Sequence, residues 1–164
     1  MPLHLEGSCH CRCVTFSVAS HTPVPYQLCY CSICRKTAGG GGYAINIMGD
    51  KSSLVVKGEK AIRVYQAEIN EEDGSCRKSK GQRNFCGSCG AALWLWDPTW
   101  PELVHPFASI IDTALPNASE RTHLMLRFKP HWVVPKIGPK DKTFDLYPDA
   151  SIEEWHRERG LWID

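Results

Sequence analysis

The sequence predicts a mainly β fold, built as one domain over residues 1–164 and closed by a short C-terminal helix. Three observations carry this. Runs rich in β-branched and aromatic residues alternate apolar and polar at period two. Helical periodicity is scarce, and prolines break the second half of the chain into short pieces. A length of 164 residues suits one domain and is enough to bury a sizeable core without relying on metal alone.

The elements follow in chain order. Val14-Thr15-Phe16-Ser17-Val18 alternates and reads as a strand, and Tyr43 to Met48 reads the same way. Leu54-Val55-Val56-Lys57 and Ile62-Arg63-Val64-Tyr65 flank Gly58-Glu59-Lys60, a spacing that predicts a hairpin. Residues 68–82 (Glu68 to Gln82) are polar and are expected as an exposed loop or hairpin tip. Ala92 to Trp96, Leu103 to Ile111 and Leu124 to Phe128 are further strand candidates. A helical turn is expected after Ser32, and a helix from Ile152 to Arg159, capped by Asp149 or Ser151 and ended by Gly160.

Composition excludes several function classes. The formal net charge is +1, with Lys and Arg interspersed among Asp and Glu, so charge gives nucleic-acid binding no support. No apolar stretch approaches the ~20 residues needed to span a bilayer. The first residues have neither a basic region nor an apolar core of a secretory signal, so the chain is expected in the cytoplasm. There, clustered cysteines bind metal or act catalytically rather than forming disulfides.

Seven of the nine cysteines fall into three clusters: Cys9-His10-Cys11, Cys29-Tyr30-Cys31-Ser32-Ile33-Cys34 and Cys86-Gly87-Ser88-Cys89. A CxC or CxxC supplies two zinc ligands from one short stretch of backbone. In an extended chain Cys9 and Cys11 face the same side. With the Cys86–Cys89 knuckle they make a complete four-sulfur structural zinc site. Four reduced, buried thiols, or a redox-active Cys86–Cys89 pair, are the competing readings. The βαβ context expected of the redox motif is missing.

Cys29, Cys31 and Cys34 make a three-sulfur group with a spare coordination position, the arrangement of catalytic zinc. A zinc ion held by three thiolates is a weak Lewis acid but keeps an incoming thiol deprotonated. Arg35 and Lys36, next in sequence, offset the negative charge. Two alternatives stand beside this: a closed structural site completed by Cys13 or Cys76, and a metal-free reactive thiol activated by the neighbouring cations. Tyr30 and Ser32 flank the thiols and are candidates to touch a ligand. His10 faces away from its neighbouring thiols. Trp94, Trp96 and Trp100 are expected to pack on strand faces, and His105, His123 and His131 to be structural.

The ordered motifs Gly7-Ser8-Cys9-His10-Cys11, Cys29 to Thr37 and Asn84-Phe85-Cys86-Gly87-Ser88-Cys89-Gly90, with the ending Leu146-Tyr147-Pro148-Asp149, resemble the glutathione-dependent formaldehyde-activating enzyme family, also called the GFA or centromere-protein-V-like domain. The resemblance implies an Mss4-like fold of several bent antiparallel β-sheets. It implies a structural zinc on Cys9, Cys11, Cys86 and Cys89, and a labile catalytic zinc on Cys29, Cys31 and Cys34. It also implies a carbon–sulfur lyase that reversibly joins glutathione, or a similar thiol, to formaldehyde. The partners expected are therefore a small thiol and an aldehyde, and neither nucleic acid nor membrane; a non-catalytic zinc-binding module for a protein partner is the alternative reading. Three departures stand out. Arg12 replaces the glycine that commonly follows the CxC, Cys13 is an extra thiol, and the polar segment that carries Cys76 is longer than usual.

Overall fold

A computed structural model describes residues 1–164. The fold is mainly β. One antiparallel sheet contains β1 (Leu3–Ser8), β2 (Thr15–Ser20) and β6 (Val55–Lys57), in the order β1-β2-β6. A second, five-stranded antiparallel sheet is made of β5 (Gly49–Asp50), β7 (Ile62–Tyr65), β10 (Gln82–Cys86), β11 (Ala92–Trp96) and β12 (Leu103–Pro106), in the order β5-β12-β11-β10-β7. A third sheet is mixed. Within it β13 (Thr122–Leu124) runs parallel to both β3 (Gln27–Cys29) and β14 (Lys142–Thr143), while β4 (Ala44–Ile45) is antiparallel to β3. Two helices, α1 (Ser32–Ala38) and α2 (Ile152–Glu158), complete the set.

The main core lies between the first two sheets. Leu5, Val14, Phe16 and Val18 from one side meet Leu93, Trp94 and Val104 from the other, with Cys9 and Cys86 buried among them. Phe16 packs edge-on against Trp94 at 5.2 Å between ring centroids. Trp94 is therefore a core residue and Trp96 packs against that core, whereas Trp100 is exposed, because it sits in the turn between β11 and β12.

Several expectations need correction. Leu54–Lys57 and Ile62–Tyr65 do not form a hairpin: β6 pairs with β2, and β7 pairs with β10. The segment between them crosses from one sheet to the other through a 3₁₀ turn at Glu59–Ala61. Gly58 starts that crossing at φ +83°, with its Cα pressed so close to Cys13 that a Cβ would lie 1.8 Å from the Cys13 carbonyl oxygen. The strand expected over Tyr43–Met48 shrinks to Ala44–Ile45, because Asn46 and Met48 bridge separately to Phe107 and Thr22. Leu103–Ile111 is a strand only to Pro106, and Ala108–Ile110 forms a 3₁₀ turn. Leu124–Phe128 leaves the sheet where Met125 takes φ +60°, and Leu126–Phe128 is also a 3₁₀ turn.

The polar segment does form a hairpin tip: β8 (Glu68–Asn70) pairs with β9 (Cys76–Lys78). The C-terminal helix begins at Ser151, whose hydroxyl accepts from the Glu154 N–H while the Glu154 carboxylate accepts from the Ser151 N–H. Trp155 of α2 stacks on Tyr26 at 3.6 Å between centroids, which ties the C-terminus to the strand that carries Cys29. No helix is long and apolar enough to cross a membrane.

Candidate metal centres

The first centre forms where two turns meet. Cys9 and Cys11 do not lie on an extended strand as the spacing suggested. β1 ends at Ser8, and a turn follows in which the Arg12 N–H donates to the Cys9 carbonyl at 2.9 Å and the Val14 N–H to Cys9 Sγ at 3.3 Å. The turn, not strand alternation, brings the two sulfurs to 3.5 Å. Facing it, the Cys86–Cys89 knuckle is closed by the Gly90 N–H on the Cys86 carbonyl at 2.7 Å. Cys11 Sγ lies 3.7 Å from Cys86 Sγ, and all four sulfurs are within 4.8 Å of one another.

A tetrahedral ion with Zn–S bonds of ~2.3 Å requires sulfurs about 3.8 Å apart, so the arrangement fits zinc. Backbone N–H groups of Cys11 and Ala91 bring the Cys89 thiol down to about 6, and the Cys89 N–H lowers Cys86, so both favour the thiolate. Cys9 and Cys86 are buried, and Cys11 and Cys89 lie at the surface.

Arg12 holds φ +59° in this turn, a conformation that strains any residue with a Cβ. That is the physical reason for a glycine after the CxC. Arg12→Gly is expected to stabilise the fold by ~0.5–1 kcal/mol, the unstrained turn outweighing the extra freedom of the unfolded chain. Calorimetry should then read a Tm about 1–4 °C higher. A lower Tm would contradict this account of the turn.

The second centre lies at the end of β3 and the start of α1. Cys29 closes the strand. Cys31 is the N-cap of α1, its sulfur accepting from the Cys34 N–H at 3.2 Å, and Cys34 is one turn further on. This local geometry draws the three sulfurs within 4.8 Å of one another. They sit against Ala38, Ala44, Ala92 and Phe107, with Cys34 buried and Cys29 and Cys31 partly open to solvent. Hydrogen bonds from the Cys29 and Cys34 thiols hold Cys31 down to about 2, and the same contact with Cys31 pushes Cys29 upward. Cys31 therefore carries thiolate character, as a metal ligand needs, while the contact with Cys31 holds Cys29 toward the thiol.

Cys13 and Cys76 are exposed and belong to neither group of converging sulfurs, so nothing in the fold closes the trio with a fourth cysteine. Beside the trio, a cavity of about 300 Å³ is lined by Thr37, Tyr65, Arg83, Asn84, Phe85, Gly90, Ala92 and Phe107. Arg83 was not among the residues singled out from the sequence, yet its Nη2 donates to Cys34 Sγ at 3.6 Å. The signal was its place in the strand of the third cluster. Along β10, Arg83 and Cys86 fall on opposite faces, so one strand serves both centres.

Tyr30 does not reach the trio's cavity. It alternates with Cys29 and points to the other face of β3, into a groove of about 830 Å³. Its hydroxyl lies 3.0 Å from His123 Nδ1, and His123 Nε2 lies 3.2 Å from the Asp141 carboxylate. Burial opposes ionisation of Asp141, but N–H donors from Gly138 and Arg121, with His123, hold its carboxyl below the usual range. The chain Tyr30–His123–Asp141 thus braces the mixed sheet. Ser32 is exposed at the first turn of α1. His10 and His131 are exposed, and burial pushes His105 below the ordinary imidazole range.

With this geometry in place, the comparisons are specific. The family profile described as "Glutathione-dependent formaldehyde-activating enzyme" matches residues 4–126, which include both sulfur groups. A Halomonas elongata protein named "Putative glutathione-dependent formaldehyde-activating enzyme" is 58% identical over 157 residues, covering 96% of this chain and 97% of its own. A crystal structure of a Rhodobacter sphaeroides protein aligns with TM-score 0.51 at 25% identity, over 68% of this chain and 91% of that one. The chain belongs to the glutathione-dependent formaldehyde-activating enzyme family.

Proposed function

We propose that this protein is a zinc-dependent carbon–sulfur lyase that reversibly adds glutathione, or a closely related thiol, to formaldehyde. The observation that carries the reading is the partly open Cys29–Cys31–Cys34 trio at the edge of a small cavity, in a chain of this family. Cys9, Cys11, Cys86 and Cys89 would hold a structural zinc. Cys29, Cys31 and Cys34 would hold a second, exchangeable one. Zinc at the trio keeps a thiol deprotonated at neutral pH.

In the forward reaction the thiolate sulfur forms a bond to the carbonyl carbon and the carbonyl oxygen takes up a proton, giving a hydroxymethyl thioether. In reverse the carbon–sulfur bond breaks and both reactants return. The chain's own residues act chiefly by placement. Ala44, Ala92 and Phe107 wall the trio with apolar surface, and Arg83 sets a positive charge beside Cys34. No carboxylate or imidazole lines the cavity, so the proton donors it offers are solvent and the Tyr65 and Thr37 hydroxyls. Holding two small reactants together supplies most of the rate gain. The chain's reduced cysteines suit the cytoplasm, and its near-neutral charge suits small-molecule rather than nucleic-acid partners.

The test is exchange NMR of ¹³C-formaldehyde with glutathione. Zinc-loaded protein is expected to raise the interconversion rate at least ~10-fold, and a chelator that removes the exchangeable ion is expected to abolish the gain. No acceleration in the zinc-loaded protein would overturn the reading.

A further inference from the structure

We propose that Arg83 is the residue that selects an acidic thiol, by receiving a carboxylate of the cosubstrate at the cavity beside the trio. The inference rests on the reading just given, and it assigns the substrate feature that the site recognises.

Two observations point to it. The first is an incomplete set of hydrogen bonds. Arg83 Nη2 donates to Cys34 Sγ at 3.6 Å, but Nη1 is covered and has no acceptor. A covered guanidinium N–H without a partner is uncommon and marks a place where an acceptor is missing. The second is charge. Arg83 enters no ion pair with Asp or Glu, and no acidic residue lines the cavity it faces. The other polar side chains lining the cavity are Thr37, Tyr65 and Asn84, which are all neutral. Arg35, next to Cys34, has a second covered N–H at Nε that also lacks a partner.

A guanidinium is a rigid fork of donors matched to a carboxylate. With one arm fixed on Cys34, Arg83 is registered against the sulfur that anchors the trio. A carboxylate taken by the other arm, after a small shift of the side chain into the cavity, would set the thiol at a fixed distance from that sulfur. The backbone holds the fork in place: Arg83 is paired with Tyr65 on one side and Leu95 on the other, three residues before Cys86 of the first centre.

The experiment compares glutathione with its diethyl ester, in which both carboxylates are masked. Both are titrated calorimetrically into zinc-loaded wild type, Arg83→Lys and Arg83→Gln, and both are then assayed with formaldehyde. Wild type is expected to bind glutathione ~10- to 100-fold more tightly than the ester, the range of a hydrogen bond to a charged group. Arg83→Gln is expected to lose that preference by weakening glutathione alone, chiefly in KM, and Arg83→Lys to keep part of it. Equal binding of the two thiols by wild type overturns the proposal, as does an equal loss for both in Arg83→Gln with metal content unchanged. If wild type binds glutathione selectively, Arg83→Gln loses that preference and wild type turns nothing over, the enzyme reading fails and the assignment of Arg83 stands.

Discussion

Cys86→Ser is expected to lose one metal ion and the native fold together. Cys86 is fully buried in the core beside Cys9, Leu93 and Val104, so a serine there would place a hydroxyl in an apolar setting with one metal ligand gone. Cys11 and Cys86 are also 75 residues apart in sequence, so an ion shared between them would pin β1 and β2 to β10 across most of the chain. Structural zinc contributes ~10–16 kcal/mol of apparent binding free energy, comparable with the whole stability of an ordinary domain at ~5–15 kcal/mol. Calorimetry should read a Tm at least ~15 °C lower, or no cooperative transition at all. A Cys86→Ser protein that melts within a few degrees of wild type would show that the four sulfurs hold nothing essential.

Cys31→Ser is expected to do the opposite, keeping the fold and losing the activity. Cys31 is partly exposed at the N-cap of α1, and serine is among the best N-cap residues. The helix therefore keeps its cap while the trio loses a thiolate. Metal content should fall from two ions per chain to one, with Tm within ~5 °C of wild type. Turnover of formaldehyde with glutathione should fall by on the order of a thousandfold, because the thiol loses both its activation and its placement. Retention of both ions and of the rate in Cys31→Ser would remove the trio from the chemistry. The two substitutions together separate a centre that builds the fold from one that uses it.

The sulfur groups were legible in the sequence because short cysteine spacings restrict the backbone strongly. Their convergence was read correctly, though for Cys9 and Cys11 the means differ: a turn through a left-handed Arg12 replaces the extended strand. Strand content was legible wherever β-branched or aromatic residues recur at period two, as in β2, β7 and β11.

What escaped was long-range pairing. β6 and β7 look like hairpin partners by proximity, but their apolar faces belong to different sheets. β1 is disguised because its inward position Gly7 has no side chain, the Phe16 ring occupying the space a Cβ would need at 2.4 Å. Arg83 escaped for a related reason. It follows a polar segment, and its role depends on Cys34, 49 residues away, which no local pattern in the chain encodes.

The central claim is that two ions sit on two separate sets of sulfurs. Anomalous diffraction recorded on either side of the zinc absorption edge tests it most directly. Two edge-dependent peaks are expected, a strong one among Cys9, Cys11, Cys86 and Cys89, and one at Cys29, Cys31 and Cys34 that fades after brief chelation. An absent peak at the first set in freshly prepared, zinc-supplied protein, or one that shows no zinc edge, would contradict the account.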